Sequence, residues 1–369
     1  MRIVFAGGGT GGHLYPGLAI ARALRTLEPT VEPFFVGAAR GIERQVLPAT
    51  GFAYDLLDLH PLYRSRPWLN YRTAIGAATG WRKIADNVHS SPPACVVGTG
   101  GYASGLALAY AVTHGIPIAI QEQNSFPGLT TRFFSRYARQ IHNGFPEASH
   151  YLHPGKRTQI YDTGNPIEPP PNPLPDRRAA RVAWGFPADG GRVMLVYGGS
   201  QGAKAINGSV ARWLSQTKIT DLYVIWATGE RTYREYASLA NERVKIRPYL
   251  SPIADAYAAA DFALSRGGAM ATAELCAWGI PPIVVPLPTA AADHQTANAK
   301  ALAAAGAAEF IPQHELSAER LERTVSALVN NTKLLAERSA AASKRARPEA
   351  ALDIARHILG MLDIKLILT

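Results

Sequence analysis

Near the N-terminus, Gly7-Gly8-Gly9-Thr10-Gly11-Gly12-His13 follows an apolar run, Ile3-Val4-Phe5-Ala6. A helical pattern from Tyr15 to about Leu27 comes next. Strand, glycine turn and helix together aim free backbone N–H groups at an anion, and the helix macrodipole adds partial positive charge at the same point. Glycine suits the turn because a phosphate has to approach the backbone closely and positive φ becomes accessible. Gly7, Gly9 and Gly12 satisfy G-x-G-x-x-G, but a dinucleotide site also wants an acid closing the second strand to hold a ribose. That strand, Val31 to Val36, ends in Gly37-Ala38-Ala39-Arg40, and its only acid, Glu32, sits near the wrong end. No Lys-Ser/Thr pair follows the loop, which excludes a Walker P-loop. The stretch reads as a phosphate or diphosphate cradle of another kind.

Strands and helices alternate beyond it. A helix near Ile42–Leu47, a strand Tyr54–Leu59 and a basic, aromatic helix lead to the buried strand Cys95-Val96-Val97. That strand closes in Gly98-Thr99-Gly100-Gly101-Tyr102. A helix from about Ser104 and a strand Pro117–Ile120 then open into Gln121-Glu122-Gln123-Asn124, followed by a helix near Leu129–Ala138. Repeated β–α units of this length predict a doubly wound parallel sheet, whose ligands lie beyond the carboxyl ends of the strands. Both glycine loops and the Gln-Glu-Gln-Asn segment fall there.

The run Gly164-Asn165-Pro166-Ile167-Glu168-Pro169-Pro170-Pro171-Asn172-Pro173 is too proline-rich for regular structure and is expected to be a linker of limited flexibility. The pattern then restarts with a strand Arg192–Tyr197, a third loop Gly198-Gly199-Ser200-Gln201-Gly202 and a helix from about Ala203. Strands at Leu222–Trp226, Val244–Ile246, Phe262–Leu264 and Ile283–Val285 follow. The expected architecture is α/β, with two Rossmann-like doubly wound parallel-sheet domains, 1–163 and 164–345. A last segment, 346–369, carries a helix Ala351–Leu362 that reaches back over the first domain.

In the second half, Ser265-Arg266-Gly267-Gly268-Ala269-Met270-Ala271-Thr272-Ala273-Glu274 runs from a strand end into a helix near Ala269, which makes another anion site. From about a turn and a half into that helix, Glu274 can accept two hydroxyl hydrogen bonds from a ribose. The alternative is an ordinary exposed helix acid. Asp293 looks like an N-cap, and Gln295 in the following turn offers an amide that can both donate to and accept from sugar hydroxyls.

Composition narrows the partners. The 369 residues are 47% hydrophobic, with a mean hydropathy near zero, ample for two globular domains. Cys95 and Cys276 lie in apolar segments without metal-ligand spacing and read as reduced core thiols. A strand starting directly at Met1-Arg2-Ile3 leaves no signal peptide expected, and no apolar run reaches transmembrane length. A net charge of +10 asks for an anionic partner. Between Leu59 and Ala85, the cations Arg64, Arg66, Arg72, Arg82 and Lys83 interleave with Tyr63, Trp68, Leu69, Tyr71, Ile75 and Trp81, with no acid. That mixture suits a helix lying on an anionic bilayer; the other reading is a solvated helix whose aromatics pack inward. No basic cluster accompanies a nucleic-acid-binding module, which disfavours nucleic acid.

Seven motifs in order now support a resemblance: Gly8–His13, Gly100–Gly105, Glu122–Asn124, Gly164–Pro166, Gly198–Gly202, Gly267–Glu274 and Asp293–Ala299. Over almost its whole length the chain resembles the membrane-associated N-acetylglucosaminyltransferases of bacterial peptidoglycan synthesis, the MurG family. The resemblance implies a GT-B fold with its two domains facing a cleft. It implies UDP-N-acetylglucosamine as donor and undecaprenyl-diphospho-muramoyl pentapeptide (lipid I) as acceptor, joined with inversion. It implies that Ser200, Leu250, Ala269, Met270, Ala271, Thr272, Ala273, Glu274 and Gln295 line the donor site, with Glu274 on the ribose and Gln295 on the transferred sugar. Thr10, Gly11, Gly12 and Asn124 would reach the sugar and the reacting centre. The loop at Gly100, Gly101 and Tyr102 would cradle the acceptor diphosphate. Arg64, Arg66, Trp68, Arg72, Trp81 and Arg82 would meet the cytoplasmic face of the membrane, making the protein peripheral.

There are two departures from the family pattern. Glu168 stands where many relatives carry an arginine for the donor diphosphate, leaving Arg266 as the nearest cation by motif. Gln121 stands where relatives often have histidine, which leaves His13 the better candidate base, with Glu122 or a water chain as the alternative. The sequence contains no Asp-x-Asp pair, so no cofactor and no protein-held metal is expected. The rival readings are a UDP-N-acetylglucosamine 2-epimerase, which needs no lipid, another lipid-linked UDP-sugar transferase, or a nucleotide-sugar-binding subunit.

Overall fold

The structure, a computed structural model, describes residues 1–60, 68, 70–199 and 201–363. It divides into two compact units: Met1–Ile167 together with Glu349–Thr369, and Glu168–Pro348.

The first unit is built on a seven-stranded sheet. Its strands are β1 (Arg2–Gly7), β2 (Glu32–Ala38), β3 (Ala53–Leu57), β4 (Cys95–Gly100), β5 (Ile118–Glu122), β6 (Gln140–Asn143) and β7 (Gln159–Tyr161). They lie side by side as β3-β2-β1-β4-β5-β6-β7, and every pairing is parallel. The order reverses between β1 and β4, where such sheets open a crevice for ligands. The strands are nearly continuous apolar runs because helices cover both faces. Ile3 and Phe5 face the core formed with Leu14, Leu18 and Leu24, while Val4 and Ala6 face the core with Ala107 and Leu108.

The last helix, Ala350–Met361, belongs to this unit. It buries Ile354, Ala355, Ile358 and Leu359 against the first core, and its His357 carbonyl accepts a bond from Gln140 Nε2 at 2.9 Å.

The second unit repeats the plan with β8 (Arg192–Tyr197), β9 (Leu222–Ala227), β10 (Val244–Arg247), β11 (Phe262–Ser265), β12 (Pro282–Val284) and β13 (Glu309–Phe310). Their order is β10-β9-β8-β11-β12-β13, again all parallel, with the reversal between β8 and β11. Trp213, Trp226 and Phe262 are fully buried at its centre. Cys95 and Cys276 are free and buried, and burial pushes both thiols up to about 12, so neither is reactive at neutral pH.

Two expectations need correction. Gly164-Asn165-Pro166-Ile167 is buried in the first unit, and only the prolines beyond Glu168 behave as an exposed connection. The basic aromatic segment forms a helix over Asn70–Ser90 that turns Gly76, Gly80 and Ile84 inward. Trp81 lies beside that inner stripe and meets Tyr110 edge-on at 5.0 Å, so it is a packing residue rather than part of an outward patch. Tyr71, Ile75 and Arg82, spaced for one helical face, are exposed, as are Arg72 and the preceding Trp68. Arg64 and Arg66 lie outside the described residues. No helix among the described residues is long and apolar enough to cross a membrane.

Candidate active site

At the β1–β4 reversal, the helix Gly11–Leu27 starts at Thr10 with no side-chain cap and no acid in its first turn. The helix Tyr102–Thr113 likewise starts uncapped at Gly101. Thr10, Gly12 and Tyr102 are exposed, so both helix starts open to the solvent side of the crevice. The two turns are packed backbone to backbone. Gly101 has φ of +77°, and a Cβ there would run into the Gly8 carbonyl and the His13 ring. Gly100 and Gly101 are thus glycines because His13 lies over them.

Glu43 fixes the shape of the first loop. It is 0% exposed, and its Oε1 accepts from Gly9 N at 2.8 Å and from Ala38 N at 3.1 Å. This carboxylate returns to the end of β2, the place where a dinucleotide fold puts its ribose-binding acid, yet it is sealed and braces the loop instead. Hydropathy and motif spacing assign this residue no role. The only signal was a lone acid beside Gly37 and Gly41, whose missing side chains leave room for it.

His13 is half-buried. Its carbonyl accepts from Thr99 Oγ1 at 2.7 Å, and its Nδ1 lies 3.0 Å from Gln123 Oε1. Thr99 reaches it because the β1–β4 register slips at Ala6/Gly7, pushing Thr99 out of step. Glu122 lies at the end of β5 with its carboxylate occupied. Oε1 accepts from Asn124 N at 3.0 Å and Asn124 Nδ2 at 3.2 Å, and Oε2 accepts from Gly128 N at 3.1 Å. It is 3% exposed, so its geometry serves the loop rather than proton transfer. Asn124 is thereby oriented at the mouth of the crevice.

At the β8–β11 reversal, the helix Ala269–Ala277 starts at Gly268 without a side-chain cap. Ala269, Met270 and Ala271 supply its first N–H groups. Thr272 Oγ1 is spent on the carbonyls of Gly268 at 3.0 Å and Ala269 at 3.1 Å, and Thr272 is fully buried, so it closes the turn from below. Ala273 and Glu274 lie on the part-exposed side. Gly267 packs against the main chain of Gln295, which brings that residue to the same site. Gln295 Oε1 accepts from Leu287 N at 3.0 Å, so its amide N–H groups are the end turned toward a ligand.

Asp293 occupies the N-cap position expected of it, but in the left-handed region (φ 54°). Its carboxylate accepts from the Thr296 hydroxyl at 2.6 Å instead of a backbone N–H. Ala292 before it is also left-handed (φ 51°), a local strain of the kind that gathers at functional loops.

Glu274 is not a free surface acid. Tyr257 donates to its Oε2 at 2.7 Å, and the Tyr197 and Tyr257 hydroxyls are 3.3 Å apart behind it. Burial raises the Glu274 pKa above the usual carboxylate range. Nearby Glu168 raises it further, and the Tyr257 hydrogen bond opposes both. Tyr257 was not foreseen as a site residue. Arg266 donates to the carbonyls of Val285 at 3.1 Å and Pro286 at 3.0 Å, and burial lowers its pKa, so part of this guanidinium holds the β12 loop. Leu250 is 7% exposed and packs in a core with Tyr197 and Tyr257, which makes it a supporting residue rather than a side chain lining the site. Ser200 lies outside the described residues.

With this geometry in place, comparison with known proteins identifies the family. Residues 3–143 match the glycosyltransferase family 28 N-terminal domain, and residues 193–354 match the family 28 C-terminal domain. The chain belongs to glycosyltransferase family 28. It is 39% identical, over 98% of its length and 97% of the relative's, to a protein from Salinibacter ruber. That protein is named UDP-N-acetylglucosamine–N-acetylmuramyl-(pentapeptide) pyrophosphoryl-undecaprenol N-acetylglucosamine transferase. It is 38% identical to the protein of the same name from Prosthecochloris aestuarii, covering 99% of this chain and 100% of the relative. Among solved structures it is similar to Acinetobacter baumannii MurG, with a TM-score of 0.79 and 27% identity, covering 98% of this chain and 99% of that one. The fold is GT-B. A UDP-N-acetylglucosamine 2-epimerase from Neisseria meningitidis shares it at a TM-score of 0.63 and 15% identity, a likeness of fold alone.

Proposed function

We propose that this chain is an inverting hexosyltransferase of peptidoglycan synthesis. It moves N-acetylglucosamine from UDP-N-acetylglucosamine to the muramoyl 4-hydroxyl of undecaprenyl-diphospho-muramoyl pentapeptide (lipid I), giving lipid II. The observation that carries this reading is the 39% identity to a transferase of that name across 98% of the chain.

In this reading the Ala269 helix start takes the donor diphosphate, Glu274 accepts from the ribose hydroxyls, and Gln295 donates to the transferred sugar. The Gly101–Tyr102 turn takes the acceptor diphosphate, and Thr10, Gly11, Gly12 and Asn124 surround the reacting centre. Inversion takes one displacement. The acceptor oxygen attacks the anomeric carbon, the bond from that carbon to the UDP oxygen breaks, and its electron pair leaves with UDP. The hydroxyl proton passes to His13. A general base contributes about 10²–10⁴-fold, so stabilisation of the departing diphosphate by oriented N–H groups is the larger share. These dipoles, with no Asp-x-Asp pair anywhere in the sequence, support transfer without a protein-held metal.

The exposed Trp68, Tyr71, Ile75, Arg72 and Arg82 support a peripheral seat on the anionic cytoplasmic face of the membrane. Transfer of labelled N-acetylglucosamine to a short-chain lipid I analogue, with EDTA present, tests the reading. Labelled lipid II is expected. Conversion of UDP-N-acetylglucosamine to another UDP-sugar without acceptor would point to an epimerase, and activity restored only by magnesium would refute metal independence.

A further inference from the structure

We infer that Gln123 is a positioning residue that holds His13 in the tautomer protonated at Nδ1, so that Nε2 keeps the lone pair that receives the acceptor proton. The inference rests on the proposed base role of His13, but its physical basis is a chain of buried amides with one consistent arrangement of donors and acceptors.

The chain starts at the main chain. Asn165 Nδ2 donates to the Gln123 carbonyl at 3.0 Å, so Asn165 Oδ1 is the end that faces Gln121 Nε2, 3.2 Å away. Gln121 must then present Oε1 to Gln123 Nε2, with which it makes a short hydrogen bond. The same Nε2 lies 2.8 Å from Thr99 O and 3.2 Å from Gln121 O, and both are acceptors only. The Gln123 amide therefore cannot flip without setting its oxygen against two carbonyls. Its Oε1 is what His13 Nδ1 meets at 3.0 Å, and an acceptor at that point requires a proton on Nδ1. Asn165, Gln121 and Gln123 are all buried, so each broken bond would strand a desolvated polar group. Nε2 has no hydrogen-bond partner among the described residues.

The arrangement follows the general logic of a base oriented by a third group. It also accounts for two sequence features. The Gly164-Asn165-Pro166 motif anchors the far end of the chain, and glutamine at 121 supplies a donor and an acceptor in fixed directions.

Nitrogen NMR of the full-length protein labelled with 15N-histidine, with the His13 signal assigned by its loss in His13→Ala, reads the tautomer without any substrate. In the neutral ring, the wild-type spectrum is expected to show Nδ1 protonated and Nε2 bare. Gln123→Leu should return the proton to Nε2, the form free histidine prefers, and lower kcat at least about tenfold with UDP affinity unchanged. A wild-type His13 protonated mainly at Nε2 overturns the inference, and so does a folded Gln123→Leu protein with the wild-type tautomer. If that variant does not fold, the wild-type spectrum alone decides. An Nδ1-protonated His13 in a protein that transfers no sugar would leave the positioning intact and sink the functional reading instead.

Discussion

The loop at the β1–β4 reversal is locked by buried polar side chains: Glu43 holds Gly9 and Ala38, Thr99 holds the His13 carbonyl, and Gln123 holds the His13 ring. The β8–β11 reversal is assembled mainly from backbone, an uncapped helix start at Gly268 and glycine-to-main-chain packing at Gly267. Its one charged feature on that helix, Glu274, is held by a single tyrosine hydroxyl. The contrast follows from the chemistry proposed for each. A base has to keep one ring orientation and one tautomer, which takes directional bonds in a low-dielectric setting. A diphosphate asks only for converging N–H groups and a positive dipole end, which backbone supplies without side chains.

This contrast is open to attack, starting with its largest expected consequence. His13→Ala should lower turnover at least tenfold, and by up to the roughly 10²–10⁴-fold that a general base supplies, while UDP affinity by calorimetry stays nearly unchanged. Equal turnover in variant and parent would remove the base from the first unit. Replacing Arg64, Arg66, Arg72 and Arg82 together by Gln should release the protein from anionic vesicles, at about 1 kcal/mol for each cation near the surface. Undiminished co-sedimentation would eliminate the membrane seat.

In the second unit the effects are smaller. Glu274→Ala should weaken UDP binding about tenfold, the worth of one hydrogen bond to a charged group at about 1.5 kcal/mol. Because its pKa is raised, Glu274 takes up a proton at a higher pH than an ordinary carboxylate, and a protonated carboxyl accepts less well from the ribose. UDP affinity should therefore fall on acidification sooner than an ordinary glutamate would predict. Tyr257→Phe removes the hydrogen bond that lowers this pKa, so the acid limb should move to still higher pH. A limb that stays in place or moves down would detach Tyr257 from the site.

Much of this was legible in the sequence, and the exceptions share a cause. Apolar runs ending in glycine marked β1, β4, β8 and β11, and with them both reversals. The short strands β6 and β7 were not foreseen, because Gln140, His142 and Asn143 are buried polar residues whose partners are remote in sequence. Glu43, Gln123 and Tyr257 escaped notice as working residues for the same reason. Hydropathy and spacing register what a side chain is, whereas their roles depend on which N–H or hydroxyl the fold brings to them. Trp81 shows the converse: it was grouped with exposed aromatics by composition, and helix phase turned it inward. Gly164-Asn165-Pro166 looked like linker because prolines follow it, although Asn165 is tied into the first unit through Gln121 and Gln123.

A crystal structure with UDP-N-acetylglucosamine bound tests the central claim most directly. The diphosphate is expected against the N–H groups of Ala269, Met270 and Ala271, with the ribose hydroxyls on Glu274. A nucleotide lodged instead at the Gly11–Gly12 helix start, with Glu274 untouched, would contradict it.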